Sequence, residues 1–127
     1  MFGAYLRPAM PYVDRASFAR DLGRMVRQAG PLEDVGTIPY CDDGAALVGL
    51  PDEVARLRCA SCVLLAVYEA TKAHQRGHRV DICISALPGR EQHAWIRVDG
   101  VLRDPSAEGG LAVPPSTYEG AVIVPVE

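Results

Sequence analysis

The sequence predicts an α+β domain with a mainly antiparallel sheet, on two observations. Helical periodicities fill the first half of the chain and period-two alternation the second, so helices precede strands rather than alternating with them. An Asp99-Gly100 pair stands between two of the strand-like runs, and that dipeptide is a hairpin signal that joins strands antiparallel.

The elements follow in order. Residues 14–29 read as a helix, because Phe18, Leu22, Val26 and Ala29 recur at three- and four-residue spacing before Gly30-Pro31 stops it. Residues 31–51 read as a long irregular stretch punctuated by Pro, Gly and Asp, the kind of loop that in a small domain often serves a site. Residues 62–76 read as a second helix with Ser61 as N-cap and Gly77 at the left-handed C-terminal position. Val63, Leu64, Leu65, Ala66, Val67, Tyr68 and Ala70 surround its first half with apolar groups, which predicts burial on every side. Val80, Ile82, Ile84 and Ala86 alternate with Asp81, Cys83 and Ser85, as in a half-buried strand. Residues 88–91 turn the chain, 92–98 form a strand, 101–104 its hairpin partner stopped by Pro105, and 121–126 a last, fully apolar strand.

The bulk numbers fit one domain over residues 1–127 with a single modest core. A net charge of −3 gives no electrostatic footprint for nucleic acid. No apolar run approaches the roughly 18–20 residues that cross a bilayer, so no membrane partner is expected. The first 26 residues lack the continuous apolar stretch of a signal peptide. The expected location is the cytoplasm, or a virion if the chain is phage-derived, with Cys41, Cys59, Cys62 and Cys83 as free thiols or metal ligands rather than a disulfide framework.

Cys62, His93 and Asp104 carry the chemistry. A thiol needs a base to form thiolate near neutral pH, and the base needs a partner on its second nitrogen. Cys62 opens the second helix, where unpaired N–H groups and the helix dipole favour thiolate and can donate to an oxyanion. A two-residue turn at Asp99-Gly100 pairs Val98 with Val101, so paired positions sum to 199. Trp95 then lies opposite Asp104, and His93 becomes Asp104's diagonal neighbour on the same face. A slip of one residue would separate them.

Competing readings exist for the same residues. Cys59-Ala60-Ser61-Cys62 is a C-x-x-C, but the strand expected before a thioredoxin-like motif is missing. Cys59, Cys62, His74 and His78 have nearly the spacing of a zinc finger. A continuous helix, however, puts Cys62 and His74 about 18 Å apart, too far for one zinc. No metal and no other cofactor is expected. His74 reads as a helix C-terminal residue, His78 as a solvated loop residue, and Cys41 and Cys83 as small buried residues.

The ordered set resembles the transglutaminase-like branch of the papain-like cysteine enzymes. Cys62 has Ala66 four positions on and Gly77 fifteen on, followed by His93-Ala94-Trp95 and Asp104-Pro105-Ser106. From Cys59 the same landmarks fall three positions out of place, which favours Cys62 as the nucleophile. The sequence departs from the family at Ala60, where a Gly is usual, and at Val101-Leu102-Arg103, where an aromatic often precedes the Asp. The resemblance implies a papain-like minimal core whose central helix carries the Cys and packs on the sheet. It implies Cys62 as nucleophile, His93 as general base and acid, and Asp104 as orienter. The chain is also similar in length and residue set to short Cys-His-Asp proteins of phage and prophage tails and to small leader-trimming proteases.

The functional expectation is a cysteine hydrolase or acyltransferase that cleaves an amide or peptide bond through a thioester, as a peptidase or transglutaminase-like enzyme on a protein or peptide substrate. Tyr40, in the long loop before the helix, is a candidate for a second oxyanion donor. The alternative is an inactive binding or structural module of the same fold within a larger assembly, using residues 31–51 and 109–120 as interaction surfaces.

Overall fold

The computed structural model describes residues 14–41, 57–87 and 90–127, together with two short strands, β1 (Arg7–Pro8) and β2 (Leu47–Val48), that pair antiparallel. The turn expected at 88–91 falls partly outside them, as does most of the stretch between 42 and 56.

Helix α1 (Arg15–Gln28) starts where Asp14 accepts a hydrogen bond from the Ser17 N–H at 2.7 Å. Its Phe18, Ala19, Leu22 and Val26 are buried, the stripe that the spacing predicts. Helix α2 (Cys62–Gln75) ends at Gly77, whose φ of 89° is cheap only for glycine. Nine of the twelve residues from Cys62 to Ala73 need apolar surroundings, and they find them on two sides. Val63, Ala66, Val67, Ala70 and Ala73 join α1 and the sheet in the main core; Leu64, Leu65 and Tyr68 meet Ile38, Ala60, Leu32, Tyr40 and Leu57 in a second cluster. Burial of each such Leu or Val side chain contributes about 1.5–3 kcal/mol.

The sheet is four-stranded and antiparallel, in the order β5-β4-β3-β6. Its strands are β3 (Val80–Leu87), β4 (Arg90–Val98), β5 (Val101–Arg103) and β6 (Val122–Pro125). The fold is therefore α+β. β4 and β5 pair Ile96 with Arg103, Arg97 with Leu102 and Val98 with Val101, the register that sums to 199. Asp99 and Gly100 both have positive φ, 51° and 81°, as a type I′ turn requires.

Two expectations need correction. β3 is buried on both faces from Ile82 to Ser85, with Ala86 exposed. It is a central strand, and a 3-10 turn (Pro115–Tyr118) packs over the face that carries Cys83 and Ser85. That turn lies within the stretch 109–120, of which only Thr117 is buried. Finally, Cys41 and Cys59 form a disulfide, with 5.4 Å between their Cα atoms. They are neither free thiols nor metal ligands, and Cys41 is not a small buried residue. Cys59 is accordingly no dithiol partner for Cys62. The cysteine argument for a cytoplasmic location goes with it, because structural disulfides persist in oxidising compartments. Among the described residues no helix is long and apolar enough to cross a membrane.

The disulfide is one of several ties that hold the loop before α2. Tyr40 and Ala60 form a parallel bridge, through Cys41 N–H to Ala60 O and Ala60 N–H to Pro39 O, both 3.0 Å. Tyr40 N–H also reaches Gly109 O at 3.0 Å. Gly109 ends a short helix, α3 (Pro105–Glu108), and a Cβ there would lie 2.7 Å from Tyr40 N and 3.0 Å from Ile38 O. Both neighbours are backbone, so Gly109→Ala is expected to destabilise the protein by about 1–3 kcal/mol through overpacking, read as a lower urea midpoint at unchanged slope.

Candidate active site

Ser61, in extended conformation, puts Cys62 at the first position of α2, with the thiol free and only 5% exposed. His93 sits on β4, where Ala94, Ile96 and Val98 face the main core and His93 and Trp95 alternate with them. β5 stops at Arg103, opposite Ile96, so no strand pairs with β4 on that side at His93. The chain leaves the sheet there and Asp104 becomes the N-cap of α3. Trp95 therefore has no strand partner opposite it on β5, although the register that would place Asp104 there is the observed one.

Capping fixes the carboxylate. Asp104 Oδ1 accepts from the N–H groups of Ser106 (3.0 Å) and Ala107 (3.3 Å), which leaves Oδ2 for His93 Nε2 at 2.7 Å and the Tyr118 hydroxyl at 2.8 Å. Asp104 thus both caps the helix that begins at Pro105 and contacts the imidazole. One oxygen serves each. Asp104 is 4% exposed and His93 not at all.

The other side of the imidazole belongs to Cys62. Burial alone would lower the His93 pKa; the hydrogen bond to Asp104, and then the thiol of Cys62, overcome it and raise the pKa to about 9. His93 Nδ1 has no hydrogen-bond partner among the described residues. For Asp104 burial works upward, but the hydrogen bond and charge of His93 and the hydroxyl of Tyr118 hold the pKa below 3.8. Cys83, by contrast, is a thiol pushed up to about 12 by burial and by Asp81, a packing residue.

Tyr118 is the member of this group that sequence reasoning missed. Burial and the Asp104 hydrogen bond raise its pKa, so it stays a donor. Its ring stands edge-on to Trp95, with centroids 5.0 Å apart, and Trp95 Nε1 donates to Ser85 Oγ at 3.0 Å. No periodicity in residues 109–120 marks Tyr118; only the 3-10 turn brings it to Asp104. Tyr40 lies beside Ala60, two residues before Cys62, with its ring against both apolar clusters.

A band of charges braces the site from outside. Asp34 pairs with Lys72 (3.0 Å) and with Arg76, Lys72 with Glu69 (2.9 Å), Glu69 with Arg103 (3.2 Å), and Arg103 with Glu108 (2.6 Å). The chain of ion pairs runs from the loop after α1, across α2, to the residue before Asp104 and the helix it caps. Glu69 and Lys72 keep about a tenth of their side-chain exposure, so these inner pairs are less screened by salt than surface pairs.

Cys62 and His74 lie near opposite ends of one continuous helix. His74 is in its last turn, as expected, and His78, exposed as expected, bonds Asp99 Oδ2 at 2.7 Å. Among the described residues no group of three or more His, Cys, Asp or Glu side chains is placed to hold a metal. Comparison of the chain with protein-family models, with curated proteins and with solved structures found no match.

Proposed function

We propose that this chain is a cysteine hydrolase or acyltransferase of papain-like, transglutaminase-like design, with Cys62 as nucleophile, His93 as base and acid, and Asp104 as orienter. The observation that carries the reading is the buried 2.7 Å contact between His93 Nε2 and Asp104 Oδ2, made by an imidazole whose other neighbour is a thiol at a helix start. The Cys62 thiolate attacks an amide carbonyl, and N–H groups at the α2 N-terminus receive the oxyanion. The imidazolium of His93, kept protonated by Asp104, gives its proton to the leaving amine. The thioester is then released to water or to an amine acceptor, with His93 taking a proton from whichever attacks. The class of substrate is a protein or peptide.

A thiol-reactivity profile tests this. Cys62 is expected to be alkylated by iodoacetamide at pH 6 at least tenfold faster than a free thiol, and His93→Ala to abolish that advantage. Quenched peptides and fluorescent amines then separate hydrolysis from transamidation. The second reading, an inactive binding module such as a particle component, has one observation on its side: the near-complete burial of Cys62 and His93. Reactivity no greater than that of a free thiol, unchanged in His93→Ala, would decide for it.

A further inference from the structure

Away from the candidate active site, on the opposite edge of the sheet from β5, a groove is lined by Arg20, Arg24 and Arg27 of α1 and by Val124, Pro125 and Glu127. It holds about 210 Å³, the room of a few side chains rather than of a whole small-molecule ligand. The chain carries a net charge of −3, yet three arginines converge here against one carboxylate. Arg24 is tied to Asp21 at 3.0 Å in an exposed pair of little energetic weight, and Arg20 to the Ser17 hydroxyl at 3.1 Å. Arg27 has no ion pair among the described residues. None of these guanidinium groups supports the fold in a way that would explain the concentration.

The second observation is independent of charge. β6 is an edge strand. Val126 N–H bonds Val80 O at 2.8 Å, so by the two-residue period Val124 and Val122 also turn their backbone groups toward β3. Ile123 and Pro125 turn theirs outward. Among the described residues no strand pairs with that edge, and it offers the N–H and C=O of Ile123 and the C=O of Pro125 beside the arginine row. Arg20 and Arg24 are separated by about 6 Å along the helix axis, close to the roughly 6.8 Å between alternate side chains of an extended strand.

We propose that this groove binds an extended acidic segment of a partner protein, laid alongside β6 with a carboxylate at every second position facing the arginines. The strand edge favours a peptide over nucleic acid, because it presents backbone donors and acceptors matched to another β-strand. The proposal does not depend on the chemistry assigned to Cys62.

The test is fluorescence anisotropy with the full chain and a labelled peptide of alternating Glu and Val. Saturable binding at low salt is expected, weakened about tenfold by Arg24→Glu with Arg27→Glu, weakened by added salt, and lost when the peptide backbone is N-methylated at alternate residues. Both arginines are exposed, and an unchanged melting temperature verifies that the double variant is folded. A peptide of alternating Lys and Val should not bind. Absence of saturation, indifference to charge reversal or to N-methylation, or tighter binding of an oligothymidylate would each overturn the proposal.

Discussion

Asp104→Ala is expected to destabilise the protein by about 3–5 kcal/mol, the cost of breaking a buried charge pair and leaving its partners unmet. The substitution removes four hydrogen bonds at once: two that cap α3, one to His93 and one to Tyr118. Urea unfolding measures the loss. Asp104→Asn separates the roles, since an amide oxygen can still cap the helix while the charge is gone. In Asp104→Asn the His93 titration, followed by NMR, should fall well below about 9. The pH dependence of stability has a definite sign. His93 is raised in the folded state, so its contribution is complete below 6.5 and is lost as the pH rises through about 9. Asp104 is lowered, so its contribution is complete above 3.8 and is lost as the pH falls through its depressed value. Stability from this pair is therefore greatest between about pH 4 and 6.5, and Asp104→Asn should flatten the profile at both ends.

Loss of the Cys41–Cys59 disulfide is the second large effect. The bridge closes a loop with a sequence separation of 18, and releasing such a loop costs about 3 kcal/mol through the entropy of the unfolded chain. Cys41→Ser, Cys59→Ser and the double variant should lose the same amount, because each removes the same bond. Treatment of the native protein with reductant should match them. The melting temperature reads the loss, and alkylation of the denatured, unreduced protein should label only Cys62 and Cys83. The bridge also anchors the strand-like segment that enters α2. Cys62 therefore loses a positional restraint three residues away, and its reactivity profile should broaden in the serine variants.

Much of the site was legible in the sequence because its determinants are local. Alternation places His93 and Trp95 on one face, and the Asp99-Gly100 turn sets the register of β5 against β4. The apolar run starts α2 at Cys62, with Ser61 at the N-cap position although its hydroxyl makes no capping hydrogen bond. Each of these depends on neighbours within a few residues, which is the range over which period and turn chemistry act. Where the pattern misled, the missing information was long-range. Cys83 is buried as expected, but Ser85 read as part of a solvent face because the strand alone does not reveal the 3-10 turn that covers it.

The sequence by itself determined the order of helices and strands, the hairpin register, and the candidacy of Cys62, His93 and Asp104. Tertiary structure alone decided that Tyr118 completes the hydrogen bonding of Asp104, that Gly109 must be bare for the loop of Tyr40 to dock, and that Cys41 finds Cys59. The physical reason is that a turn or a periodicity is paid for locally. Contacts between distant segments depend instead on how the whole chain packs, and no single stretch of residues encodes that.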